Sequence, residues 1–134
     1  IGLRTFVSVD LGIAEAMRTA AEAGAAIVAA HPYSSEQEGE PVAARLTRRF
    51  SRDAALRGLA HRFELFNRDR LFGWVAQAGL PAVASGDFHR REHLYGWKTL
   101  LPSLHDDAAV VDYLRSERPV YLVRLGREQG ELAA

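Results

Sequence analysis

The chain has no cysteine among its 134 residues. Disulfides and thiolate metal sites are therefore excluded, and any metal ion must be held by His, Asp or Glu. It also lacks a charge excess of either sign, since 17 basic residues stand against 17 acidic ones. Without a basic surplus, general nucleic-acid binding is not expected. No apolar stretch approaches the roughly 18 residues that cross a bilayer, and no signal-peptide pattern opens the chain. These absences point to a cytoplasmic protein with no membrane partner. No repeat, low-complexity tract or flexible linker divides the sequence, so residues 1–134 read as a single domain. The first residue is Ile1 rather than Met, which suggests a piece of a longer protein. What is present is ordinary for a globular domain: 48% of residues are hydrophobic and 25% charged.

Strand and helix patterns alternate along the chain. Thr5–Val9 alternates weakly, as a short strand or the approach to a helix. Ile13, Met17, Ala20 and Ala21 share one side at helical spacing, and Gly24 stops a helix running from about Ile13 to Ala23. Ala25–Ala30 is an apolar run with no polar face, as in a buried parallel strand. Tyr33–Pro41 reads as a polar loop, Val42–Phe50 as a basic helix, and Ser51 as the cap of a further helix through Leu59. Arg62–Phe66 alternates as a strand, and Asn67-Arg68-Asp69 opens a helix that Gly79 closes. Leu80–Ala84 is the next strand and Lys98–Leu101 is extended. Asp106 or Asp107 caps a helix to about Ser116, and Pro119–Val123 is the last strand. This is the βαβ pattern of a parallel sheet or barrel, in which functional residues gather beyond the carboxyl ends of the strands.

Metal-capable side chains stand at two of those ends. In Ser85-Gly86-Asp87-Phe88-His89, a carboxylate and an imidazole leave the Leu80–Ala84 strand two residues apart, hence on the same side. A Gly-Asp turn capping a helix would leave the same letters. Upstream, Ala25–Ala30 runs straight into His31-Pro32. A hard oxygen beside imidazole nitrogens suits a divalent zinc, manganese or iron ion, so His31, Asp87 and His89 are the candidate ligands. Glu64 either pairs with Arg62 or Arg68 or faces a barrel interior. Asn67 caps the following helix or contacts substrate. Arg90 and Arg91 flank the ligand loop and offer guanidinium groups to an anionic substrate. His61 and His105 read as surface residues, and His93 shares a helical face with His89. Trp74 reads as core and Trp97 as a wall of the pocket mouth. No residue is assigned as a catalytic acid or base.

Ala-Ala-His31-Pro32, Phe63-Glu64-Leu65-Phe66-Asn67 and Ser85-Gly86-Asp87-Phe88-His89, in this order, resemble the PHP (polymerase and histidinol phosphatase) family. The resemblance implies the later portion of a distorted (β/α)7 barrel, with parallel strands alternating with helices. It implies a cluster of metal ions at the carboxyl ends of the strands, with His31, Asp87 and His89 matching ligands. Glu64 and Asn67 match residues that lie near the site without ligating metal. The implied activity is phosphate ester hydrolysis by a metal-activated water, on a small phosphorylated substrate or a nucleotide phosphoester. The family's opening His-x-His pair and its next ligands have no counterpart before His31, so only part of the ligand set is here. Two other readings follow: an inactive PHP-like fragment or binding module, and a metal-dependent amidohydrolase. An incomplete barrel would also expose strand edges through which another chain could associate.

Overall fold

β2 (Arg62–Asn67) is the strand around which the chain is arranged. In a computed structural model, which describes residues 1–32 and 52–126, β2 pairs in parallel with β1 (Val28–Ala29) and with β4 (Ala82–Ser85). β3 (Arg70–Leu71) folds back antiparallel onto Phe66 and Asn67, and so shares an edge of β2 with β1. The helices are α1 (Ile13–Glu22), α2 (Ala54–Arg57), α3 (Gly73–Gln77) and α4 (Asp107–Arg115). β5 (Gly96–Leu100) and β6 (Tyr121–Leu125) pair antiparallel in a second sheet.

Local chemistry explains where the helices stop and start. Gly24 has φ 87 and Gly79 has φ 63, the left-handed conformation that glycine adopts most readily. Around them Ala25 N–H donates to Ala20 O and Gly24 N–H to Ala21 O, as Leu80 N–H donates to Val75 O and Gly79 N–H to Ala76 O. These are two Schellman endings, each satisfying helix carbonyls and turning the chain into the next strand. At the other ends, Asp53 Oδ1 accepts from Ala55 N–H and Leu56 N–H, and Asp106 Oδ1 accepts from Ala109 N–H. Asp53 therefore caps α2; the expected cap Ser51, and the segments Tyr33–Pro41 and Val42–Phe50 expected as a loop and a helix, lie outside the described residues. Among the described residues no helix is long and apolar enough to cross a membrane.

Two apolar clusters lie on opposite faces of the parallel strands, as the alternation of Val28 and Ala29 requires. Met17, Ala29, Leu56, Phe63, Phe72 and Val75 form one with α1, α2 and α3. Ala26, Val83 and Leu114 form the other beneath α4.

The expected later portion of a (β/α)7 barrel is not what the described residues form. Parallel pairing is confined to β1, β2 and β4, while β3, β5 and β6 pair antiparallel. One hydroxyl group stands on the outer edge of β4 where a further parallel strand would hydrogen-bond. Thr99 Oγ1 on β5 accepts from Ala84 N–H and donates to Ala84 O, both at 2.8 Å, so at Ala84 that edge is satisfied by a side chain. Asn67-Arg68-Asp69 likewise does not open a helix. Arg68 and Asp69 form the two-residue loop between β2 and β3, and the helix starts later at Gly73.

Candidate functional site

Each parallel strand is followed by a non-glycine residue with left-handed backbone. They are His31 after β1 (φ 44), Arg68 after β2 (φ 54) and Asp87 after β4 (φ 41). That conformation disfavours residues with a Cβ by about 1–2 kcal/mol, and such strain concentrates at functional sites. All three side chains meet at the carboxyl end of the sheet.

β2 supplies the support. Its register against β4 slips between Glu64 and Phe66, leaving Leu65 as the extra residue of a bulge. In a regular strand, Glu64 and Asn67 would point to opposite faces. The bulge resets the alternation and brings them together, with Asn67 Nδ2 3.2 Å from Glu64 Oε2. Glu64 is only 3% exposed. Its Oε2 accepts from His31 N–H at 2.6 Å and faces His31 Nδ1 at 2.7 Å. Asn67 Nδ2 lies 2.7 Å from the same Nδ1 and 3.4 Å from Ser85 Oγ.

Two groups face His31 Nδ1 at 2.7 Å: the Glu64 carboxylate, which accepts from it when the ring proton sits there, and the Asn67 Nδ2 amide, which donates to it in the other tautomer. With the proton on Nδ1, His31 leaves the Nε2 lone pair free. This is the arrangement by which a carboxylate orients a metal-ligating histidine. His31 Nε2 faces Asp87 Oδ1 at 3.9 Å, outside hydrogen-bond range.

Asp87 is held from several sides. Its N–H donates to Ser85 Oγ at 3.3 Å, and Arg68 Nη2 pairs with its Oδ2 at 2.9 Å and donates to its O at 3.1 Å. His89 Nδ1 lies 2.8 Å from Asp87 O and 3.5 Å from Asp87 Oδ1, and His89 N–H donates to His93 Nδ1 at 3.0 Å. With its Nδ1 turned to the Asp87 carbonyl, His89 has Nε2 as its donor atom.

One pair of these donor atoms is spaced for a divalent ion. Two ligands each about 2.0–2.2 Å from one ion stand roughly 3–4 Å apart. The 3.9 Å between His31 Nε2 and Asp87 Oδ1 falls in that range, and neither atom satisfies the other. The pair fits a shared cation. Among the described residues, no three His, Asp or Glu side chains are gathered closely enough to hold one alone. His89 joins the cluster through the Asp87 main chain rather than by aiming at the His31–Asp87 gap.

The remaining candidates take different places. Glu64 pairs with His31 rather than with Arg62 or Arg68, because β2 points it at the end of β1. Asn67 braces that pair instead of capping a helix. Arg90 and Arg91 are exposed at the start of a 3-10 turn (Arg91–Leu94), and the described guanidinium that reaches Asp87 belongs to Arg68. Trp97 stacks on Phe66 at 4.0 Å between centroids, and Trp74 packs edge-on against Phe63. His61 is not a plain surface residue, since its Nδ1 accepts from Ile27 N–H at 2.9 Å. Sequence reasoning did not single out Arg68 for the site. The available signal was a two-residue strand connection with arginine where such turns favour glycine.

No family model matches the chain, and no curated protein is significantly similar to it.

Proposed function

We propose that this chain carries part of the active site of a metal-dependent phosphoesterase, with His31 and Asp87 sharing a divalent ion and His89 beside them. The observation that carries the reading is the buried Glu64 carboxylate 2.7 Å from His31 Nδ1, which orients the ring with Nε2 facing Asp87 Oδ1 at 3.9 Å. A carboxylate in that role costs burial of a charge, and its return is a histidine oriented for ligation. The likeness of the His31-Pro32, Glu64–Asn67 and Asp87–His89 segments to the PHP family supports phosphate esters as the substrate class.

A bound zinc, manganese or iron ion would supply Lewis acidity and charge neutralisation to a phosphoryl group. The chain's own residues prepare the place. Glu64 and Asn67 hold the His31 ring, Ser85 anchors the Asp87 main chain through its N–H, and His93 steadies the loop at His89. Half of the His31 side chain is exposed, so a solute reaches the site without opening the core.

The experiment is phosphate release from a phosphomonoester with added Mn²⁺, Zn²⁺ or Fe²⁺, comparing the natural sequence with Asp87→Ala. Metal-dependent release that falls at least about a hundredfold in Asp87→Ala is expected. Release that survives a chelator or the substitution overturns the reading, and cleavage of amides but not phosphoesters assigns an amidohydrolase instead.

A further inference from the structure

A cation already stands beside Asp87. Arg68 Nη2 lies 2.9 Å from Asp87 Oδ2, 3.1 Å from Asp87 O and 3.2 Å from His89 Nδ1. One guanidinium nitrogen thus touches the acidic ligand, its main chain and the neighbouring imidazole. Arg68 holds this position at a backbone cost. It is the first residue of a two-residue strand connection with φ 54, where glycine is favoured. An unfavourable residue at a strained position implies that its side chain is needed there.

We propose that Arg68 is a built-in competitor for the metal ion: it neutralises Asp87 in the ion-free chain and must release it when a divalent cation binds. This rests on the reading of His31 and Asp87 as ligands. The physical reason is charge. A guanidinium and a divalent ion on the two oxygens of one carboxylate lie within a few ångströms of each other. At that separation their repulsion opposes the ion pair and the main-chain bond that hold Arg68 on Asp87.

The fold gives the displaced side chain somewhere to go. Arg68 also lines a cavity of about 580 Å³ whose wall includes Glu92 and an Asp69 already paired with Arg124 at 3.0 Å. The guanidinium can swing from Asp87 towards Glu92 while Arg68 N–H keeps its 3.0 Å bond to Ser85 O. The Arg68 side chain is 44% exposed, so water can take over part of its hydrogen bonding as it turns.

A purely orienting arginine predicts the opposite sign, because its loss would let Asp87 drift and weaken ion binding. Calorimetric titration of the 134-residue chain with Mn²⁺ separates the two. Arg68→Gln removes the charge, and Arg68→Gly does so while fitting the left-handed backbone. Both are expected to bind Mn²⁺ at least about tenfold more tightly than the natural sequence. Arg68→Lys, which keeps a charge, should stay near it. Equal or weaker binding by both neutral variants overturns the competitor role but leaves the ligand assignment standing. No binding by any of the four proteins at millimolar Mn²⁺ overturns both.

Discussion

The two ends of β2 each bury a charged side chain, and they treat it in opposite ways. At the amino end, Arg62 is 2% exposed. Its Nε donates to Leu114 O, and its Nη2 lies 2.5–3.3 Å from the carbonyls of Tyr113, Ser116 and Arg118. Every partner is main chain at or just beyond the carboxyl end of α4, where helix carbonyls lack intrahelical donors. Tyr113 adds its hydroxyl bond to Pro119 O and lies beneath the Arg118 guanidinium. This end is closed. At the carboxyl end, Glu64 is bound to side chains, His31 and Asn67, and to one main-chain N–H. Three left-handed non-glycine residues surround it, and His31 Nε2 faces Asp87 Oδ1 outside hydrogen-bond range. This end is open. A buried charge spent on main-chain carbonyls serves stability, whereas one spent on orienting another side chain at a strained strand end serves chemistry.

The harshest way to break the contrast is Arg62→Met. The Leu114, Ser116 and Arg118 carbonyls would lose this donor, while Tyr113 O keeps its bonds from Ser116. A loss of about 3–5 kcal/mol is therefore expected from the urea unfolding midpoint. Arg62→Lys should not restore it, because an ammonium cannot reach several carbonyls along a planar fork. A loss below about 1 kcal/mol would mean that the amino end is not the closed clamp described.

A milder test works on the strain at the open end. Asp87→Gly and Asp87→Ala both remove the carboxylate, but only glycine fits φ 41 without a Cβ penalty. The glycine variant should unfold about 1 kcal/mol later than the alanine one, while both lose ion binding equally. Equal stability would show that the left-handed backbone stores no strain.

Much of the closed framework could be read from residues alone. Gly24, Gly79 and Asp106 carry their own turn and cap chemistry, and the apolar runs before His31 and Asp87 contain β1 and all of β4 but Ser85. The placement of His31, Asp87 and His89 beyond strand ends was legible for the same reason. The antiparallel pairings were not. Nothing in Phe63-Glu64-Leu65-Phe66 announces a bulge, because an extra residue in a strand has no local signature when the sequence still alternates. That slip moves Asn67 onto the side of Glu64, and the tight β2–β3 connection then turns Arg68 towards Asp87. The Thr99 contact with the edge of β4 was hidden for a similar reason, since a threonine hydroxyl on a strand edge reads in sequence as an ordinary strand residue.

The gentlest probe is pH, and it acts on the closed end. His61 precedes Arg62, and its Nδ1 accepts from Ile27 N–H, a bond that requires this nitrogen unprotonated. Burial, and then the charges of Arg115, Arg62 and the amino terminus, push its pKa below the ordinary histidine value of 6.5. The folded state therefore holds fewer protons on this residue than the unfolded state does between the lowered value and 6.5. Its contribution is fully present above that window and is lost as pH falls through it. Stability measured by urea unfolding should decline as pH drops below about 6.5, and His61→Gln should flatten that part of the curve. Because Arg62 stays charged throughout, the decline belongs to the Ile27–His61 bond and not to the guanidinium clamp. A slope unchanged in His61→Gln would show that the Ile27–His61 bond does not set the pH sensitivity, and the account of the closed end would fail there first.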